Sequence, residues 1–182
     1  SYKRLIMYNE VSREIKTFEP SKNIFNSFIV EKRIYYTLSS GLYTIENGNE
    51  KLISNDTRLK NRNQYPHILN IFKKDNSILI VTDKLEFLEL LPNGNLIDLY
   101  SLSTNPLFSG ISVFKTIRLK DGGFAIGTVG RGLMLIDKNG NLIKIIDKSQ
   151  GIINNTILSL YEDSKNNLWL GLDNGISLIN SE

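Results

Sequence analysis

The sequence is poor in the residues that carry much of protein chemistry. It has no cysteine, one histidine, one tryptophan and four prolines in 182 residues. Without cysteine the chain cannot form a disulfide, a zinc–thiolate cluster or a thiol nucleophile, and the redox compartment stays undecided. His67 is the single candidate for a histidine base. We predict no catalytic residue, metal site or cofactor.

Long hydrophobic runs and concentrated charge are also missing. No apolar stretch approaches the roughly 20 residues that span a bilayer, and residues 1–20 lack a signal-peptide core. We therefore expect any targeting or membrane-spanning segment to lie outside this sequence. The 22 basic and 19 acidic residues are interspersed, and a solvated loop explains the short basic stretch at residues 58–62 as well as a phosphate-binding strip does. We predict no nucleic-acid partner.

A repeat of about 46 residues is visible in the turn signals. Asn-Gly begins at Asn47, Asn93 and Asn139, so the interval is 46 residues both times (93 − 47 and 139 − 93). Each Asn-Gly lies between two short β-prone runs, a pattern typical of a hairpin with positive-φ turn residues. Two further apolar runs precede each hairpin. The unit therefore has four strands, a to d, as in a blade of a β-propeller.

The repeat divides the chain into one half-blade and four blades. Residues 1–22 hold strands c and d only, blades follow at 23–66, 67–112 and 113–156, and residues 157–182 form a blade without strand d. We predict a single all-β domain, a partial β-propeller with about four four-stranded blades plus a half-blade. The mismatched ends favour an excerpt of a larger, seven-bladed type of propeller over a closed four-bladed ring. Exposed blade edges would favour homo-oligomers.

One segment carries a specific motif. Residues 157–176, ILSLYEDSKNNLWLGLDNGI, resemble the two-component regulator propeller repeat. The residues that fit the motif are Asp163, Leu168, Trp169, Gly171, Gly175 and Ile176. Residues 114–136 are similar and include Gly127 and Gly132, with Ala125 in the place of the tryptophan. We interpret these positions as structural, with the tryptophan filling the wedge between blades and the glycines allowing close turns.

The resemblance implies a function in signal transduction. In that family, propellers of this kind form the periplasmic sensor region of hybrid two-component histidine kinases, joined to a further β-domain, a membrane span and a cytoplasmic kinase. For this chain it implies periplasmic sensing of a carbohydrate, with an oligosaccharide as ligand and no enzymatic activity. It also implies adjoining propeller blades in the parent chain, and membrane contact only through a span outside this sequence.

Ligand binding is expected at loops, because a propeller presents its b-to-c and d-to-a loops on one face. The ligand-binding candidates there are Lys84, Arg131, Asp173, Asn174, Tyr65 and Asn155. Phe108, Gln150 and Asn154 add aromatic and amide groups suited to sugar recognition. A solvated turn explains each of these residues as well.

Two other functions stay open from the sequence. One is a protein-interaction scaffold or self-associating propeller. The other is a propeller hydrolase or lyase, which would need two carboxylates converging at the central channel. The available pairs are Asp137 with Asp147 and Glu86 with Glu89.

Overall fold

The computed structural model describes residues 4–60 and 67–180, and its regular structure consists of short β-strands and three one-turn 3₁₀ helices. The strands are β1 (Leu5–Tyr8), β2 (Ile15–Phe18), β3 (Ser27–Val30), β4 (Arg33–Leu38), β5 (Gly41–Glu46), β6 (Asn49–Ser54), β7 (Ile68–Lys74), β8 (Ser77–Thr82), β9 (Glu86–Leu90), β10 (Leu96–Ser101), β11 (Val113–Arg118), β12 (Phe124–Thr128), β13 (Leu133–Ile136), β14 (Leu142–Ile146), β15 (Ile157–Glu162), β16 (Leu168–Leu172) and β17 (Gly175–Ile179). Within the described residues, no helix has the length and apolar character to cross a membrane.

Consecutive strands are neighbours in every sheet. The strands β1 and β2 form a first hairpin, followed by sheet A (β3–β6), sheet B (β7–β10), sheet C (β11–β14) and sheet D (β15–β17). Sheets A, B and C each have four strands in chain order, and sheet D has three. A repeated four-stranded meander is the blade of a β-propeller, so the predicted fold class is confirmed.

All three Asn-Gly pairs of the repeat lie between two strands, as predicted, but two of the turns differ from the expectation. Asn47 and Gly48 both have positive φ, +52° and +79°, as a two-residue type I′ turn requires. At the other two sites only Gly94 and Gly140 are left-handed, with φ of +86° and +89°. There the turn begins earlier, at Leu91 or Asp137, and the glycine closes a longer loop.

The chain divides into two compact units. The first contains Ser1–Leu79 with Glu89–Ile97, and the second contains Ile80–Leu88 with Asp98–Glu182. The division passes through sheet B, so it does not coincide with the boundary between two repeats.

The first unit has an aromatic core at sheet A. The ring of Tyr36 is fully buried and lies 6.2 Å from Phe18 of the first hairpin and 6.0 Å from Tyr43, measured between ring centroids. Its hydroxyl donates to Glu50 Oε2 at 3.1 Å, so the polar end is satisfied inside the core. Burial, with the Glu50 charge next, raises the pKa of Tyr36.

The second unit is held together by contacts between sheets C and D. Ala125 and Leu133 of sheet C, both fully buried, share a hydrophobic cluster with Leu168 and Leu170 of sheet D. Gly127 faces Ile157 so closely that a Cβ at this position would lie 2.8 Å from Ile157 Cγ2. The small residues at 125 and 127 therefore allow sheet D to approach sheet C.

Candidate functional site

The loops of the second unit that were expected to bind a ligand are tied to one another by backbone hydrogen bonds. The N–H of Gly132, at the end of the β12–β13 loop, donates to Asn155 O at 2.8 Å. The N–H of Asp173, in the β16–β17 turn, donates to Thr156 O at 3.2 Å. The segment before β15 thus lies between the two b-to-c loops. The structure brings Arg131, Asn155, Asp173 and Asn174 to the same end of sheets C and D.

The charged side chains at this end are available to solvent. Arg131, Asp173 and Asn174 are exposed, and the backbone N–H of Arg131 donates to Thr128 Oγ1 at 3.2 Å. Lys84 is also exposed, in the equivalent turn between β8 and β9, where Leu85 takes a left-handed φ of +56°. These loops carry a cation, a carboxylate and an amide, which together provide both donors and acceptors for hydroxyl groups.

Asn155 has a structural role that the sequence prediction missed. Its Oδ1 accepts the backbone N–H of Lys148 at 2.8 Å and so holds the preceding loop. That loop contains a 3₁₀ helix, Lys148–Gln150, in which Asp147 and Gln150 form a reciprocal capping box. Asn154 Oδ1 likewise accepts the N–H of Thr156 at 2.8 Å. These amide groups stabilise the loop, and a sugar would have to compete with those hydrogen bonds.

The d-to-a loops that follow sheets A, B and C each contain one turn of 3₁₀ helix, at Thr57–Leu59, Pro106–Phe108 and Lys148–Gln150, and an Asp or Asn side chain accepts at each N-terminus. Phe108 is buried, so the suggestion that it presents an aromatic surface to a ligand is wrong. Tyr65, the other aromatic candidate, lies outside the described residues.

The repeat motif centres on the carboxylate of Asp163. Its Oδ1 accepts the backbone N–H groups of Lys165 and Asn167, and its Oδ2 accepts Asn167 Nδ2 and the indole N–H of Trp169, all at 2.9 to 3.0 Å. These hydrogen bonds, that from Trp169 foremost, lower the pKa of Asp163 to about 2. A similar Asp-x-x-x-Asn turn occurs at Asp137 and Asn141, a recurrence that could have revealed the role from the sequence.

Trp169 is 42% exposed, and its indole joins the Asp163 turn to β16. That its ring fills the wedge between neighbouring blades stays a prediction. The motif glycines do have structural roles. A Cβ on Gly171 would overlap Ser159 Oγ, one on Gly132 would overlap Ile146 O, and Gly175 has a φ of +143°.

The carboxylate pairs suggested for acid–base chemistry are engaged elsewhere. Asp137 Oδ1 accepts from Asn139 and Asn141 within its turn, and Asp147 caps a helix. Glu89 bonds Lys74 and Ser77, while Glu86 accepts from Thr82.

Hydrogen bonds also lower the pKa values of three of these carboxylates. Hydrogen bonds from Asn141, Ser149 and Lys74 respectively lower the pKa values of Asp137, Asp147 and Glu89, whereas a general acid needs a raised one. His67 is exposed, and residues 4–60 and 67–180 contain no group of three or more potential metal ligands.

The first unit has a charged groove that the sequence did not reveal. It has a volume of about 580 Å³, and its lining includes Arg33, Lys51, Lys73 and Glu31. Lys73 Nζ lies 3.5 Å from Glu31 Oε2, and Lys51 forms an ion pair with Glu46 at 2.5 Å. Because two of its three cations face carboxylates, the groove offers little surplus positive charge to an anion.

Comparison with known families and structures agrees with this geometry. The fold is that of a β-propeller, and residues 151–174 match the family model described as Two component regulator propeller. The protein therefore carries a two-component regulator propeller repeat, as the motif at 157–176 predicted. No curated protein matches the chain.

Solved structures share the fold at low sequence identity. The extracellular domains of the hybrid two component systems BT4673 and BT3049 from B. thetaiotaomicron have TM-scores of 0.65 and 0.60 and identities of 22% and 21%. They cover 95% and 97% of this chain, and 24% of their own chains in each case. PorZ, a surface component of the type-IX secretion system of Porphyromonas gingivalis, matches with a TM-score of 0.61 at 14% identity, covering 96% of this chain and 29% of its own. This chain thus spans about a quarter of these structures.

Proposed function

We propose that this chain is a ligand-sensing propeller region of an extracytoplasmic bacterial two-component sensor and that it has no catalytic activity of its own. The observation that carries the proposal is the two-component regulator propeller repeat at residues 151–174. The propeller neighbours BT4673 and BT3049 are described as extracellular domains of hybrid two component systems, which supports the same cellular location and a kinase elsewhere in the parent chain.

We further propose that the ligand is an oligosaccharide bound at the loop end of sheets C and D. Arg131, Asp173 and Asn174 are exposed there, and the backbone bonds from Gly132 to Asn155 and from Asp173 to Thr156 fix the positions of the loops. A rigid scaffold with exposed donors and acceptors is suited to hydroxyl recognition, because little ordering is needed on binding. Hydrogen bonds lower the pKa values of Asp137, Asp147 and Glu89, which argues against these carboxylates as general acids.

A thermal-shift screen of oligosaccharides against the chain tests this function. A ligand present at about 100 times its Kd should stabilise the fold by about 2.7 kcal/mol, which corresponds to a rise in Tm of roughly 5–10 °C. Arg131→Ala should abolish the rise in Tm, because it removes a side chain that contacts the ligand in this proposal. The fold should stay intact, because the Arg131 side chain is exposed. Lys138→Ala, which changes an exposed cation in a hairpin turn away from these loops, is the matched control. Equal shifts in both variants would place the ligand elsewhere, and a screen without any shift would contradict carbohydrate sensing.

A further inference from the structure

Asn-Gly is the dipeptide in which asparagine loses its side-chain amide most readily. The backbone nitrogen of the glycine can attack Cγ of the asparagine, because glycine has no Cβ to obstruct the approach. The sequence contains four such pairs, which begin at Asn47, Asn93, Asn139 and Asn174. In a folded chain the reaction needs a glycine N–H that no acceptor holds and an asparagine side chain that is free to turn toward it.

Two of the four glycines donate their N–H groups within longer turns. Gly94 N–H donates to Leu91 O at 2.9 Å, and Gly140 N–H donates to Asp137 O at 3.1 Å. Before either nitrogen can attack the preceding side chain, its hydrogen bond must break. These two turns therefore protect the asparagines that they contain.

A third glycine, Gly175, is held by the strand that it begins. It is the first residue of β17 and lies opposite Leu172 of β16, with which it closes a two-residue hairpin loop. The two residues that close such a loop exchange backbone hydrogen bonds, so the N–H of Gly175 has an acceptor. Asn174 is therefore protected as well.

The pair Asn47-Gly48 is placed differently in its hairpin. Both residues lie in the loop, and the pair that closes the loop is Glu46 with Asn49. The closing hydrogen bond thus comes from the N–H of Asn49, and that of Gly48 has no acceptor within residues 4–60 and 67–180. The Asn47 side chain is exposed and makes no hydrogen bond to this part of the chain. Both requirements of the reaction are met at this turn.

We propose that Asn47 is a site of spontaneous deamidation in the folded protein. Gly48 N gives its proton to solvent and forms a bond to Asn47 Cγ, and the side-chain nitrogen of Asn47 leaves as ammonia. The product of this step is a succinimide ring. Water then opens one of the two carbonyl positions of the ring and leaves aspartate or isoaspartate at position 47. The proposal goes beyond ligand sensing and does not depend on it.

The modification changes the end of sheet A. Isoaspartate adds a methylene group to the main chain, whereas the type I′ turn requires the present two residues with φ of +52° and +79°. The new carboxylate also follows Glu46, whose own carboxylate forms an ion pair with Lys51. The longer main chain and the added negative charge should therefore weaken the pairing of Glu46 with Asn49.

Peptide mapping of aged protein tests the site. The chain is incubated in mildly alkaline buffer and digested, and isoaspartate in each Asn-Gly peptide is measured by mass spectrometry. Asn47 should react about two- to tenfold faster than Asn93, Asn139 and Asn174, the factor expected when no backbone hydrogen bond has to break. In urea all four should react at similar rates, because the dipeptide is the same. Equal rates in the folded protein, or a preference for Asn47 that persists in urea, would overturn the proposal.

Two variants separate this turn from the rest of the chain. Asn47→Gly removes the side-chain amide and keeps a residue that accepts positive φ, so most of the isoaspartate formed by the folded protein should be lost. Asn139→Gly is the matched control and should leave the formation of isoaspartate nearly unchanged. Ageing should speed amide exchange at Asn49 in the wild type and have no such effect in Asn47→Gly. A larger loss of isoaspartate in Asn139→Gly than in Asn47→Gly would contradict the assignment.

Discussion

Alanine at Gly132 should destabilise the protein more than alanine at Gly130, although both glycines lie in the β12–β13 loop. Their φ angles are similar, +76° for Gly132 and +83° for Gly130, so the left-handed backbone disfavours a side chain equally at the two positions. Their surroundings differ. No atom lies within 4 Å of a Cβ built on Gly130. A Cβ on Gly132 would overlap Ile146 O and lie 3.0 Å from Asp147 Cα.

The expected losses of stability follow from the left-handed backbone at both glycines and from the close approach of Gly132 to β14. Placing alanine in the left-handed region costs about 1–2 kcal/mol at either site. At Gly132 the backbone at the end of β14 must also move, and overpacking of this kind typically adds about 1–3 kcal/mol. The effect of alanine on the entropy of the unfolded chain is the same in both variants, so it cancels in the comparison. We expect losses of about 1–2 kcal/mol for Gly130→Ala and about 2–5 kcal/mol for Gly132→Ala.

Urea denaturation followed by circular dichroism gives the free energy of unfolding for both variants. The midpoint should fall further for Gly132→Ala, while the dependence on urea concentration stays similar. The hydrogen bond from Gly132 N–H to Asn155 O should also be weakened, which amide exchange at residue 132 would detect. Equal losses of stability in the two variants would refute this prediction, because they would show that the close approach of Gly132 to β14 does not affect the free energy of unfolding.

Three further outcomes are expected. Hydrogen bonds lower the pKa of Asp163 to about 2, below the value of about 3.9 for an unfolded chain. The contribution of Asp163 to stability is therefore present above pH 4 and is lost as the pH falls through 2. A carboxyl NMR titration that gave a pKa near 4 would contradict this. Trp169→Phe removes the indole donor and should move that pKa upward, whereas a purely packing role for Trp169 would leave it unchanged. Asn155→Ala should speed amide exchange at Lys148, whose N–H loses its acceptor, and unchanged protection would show that another group holds the loop.

The positions of the strands could be read from the sequence because they depend on local patterns. Apolar runs ended by Asn-Gly specify where the chain can pair with itself and where it must turn. The apolar runs at 124–128, 133–136, 142–146 and 168–172 coincide with β12, β13, β14 and β16. The turn types were less accessible. The two longer loops begin at Leu91 and Asp137, and their geometry depends on which residue closes the hydrogen bond, which the Asn-Gly pair alone does not specify.

The candidate site shows the same division between local and distant information. Exposure of Arg131 and Asp173 follows from their places in short turns, and the sequence indicated it correctly. The sequence did not indicate that Asn155 Oδ1 accepts a hydrogen bond from the N–H of Lys148, or that Phe108 is buried. Both depend on how each loop folds back on itself, which the residue type alone does not specify.

The sequence by itself determined an all-β chain of repeated four-stranded units, because the period-two apolar pattern and the spacing of the turn residues act within a few residues of one another. Only the tertiary structure decided which face of each unit is covered. Ala125 and Trp169 occupy equivalent positions in their repeats, yet the first is fully buried and the second is 42% exposed. The difference arises because burial depends on a neighbouring sheet some 40 residues away along the chain, and sheet D covers sheet C while its own outer face stays in contact with solvent.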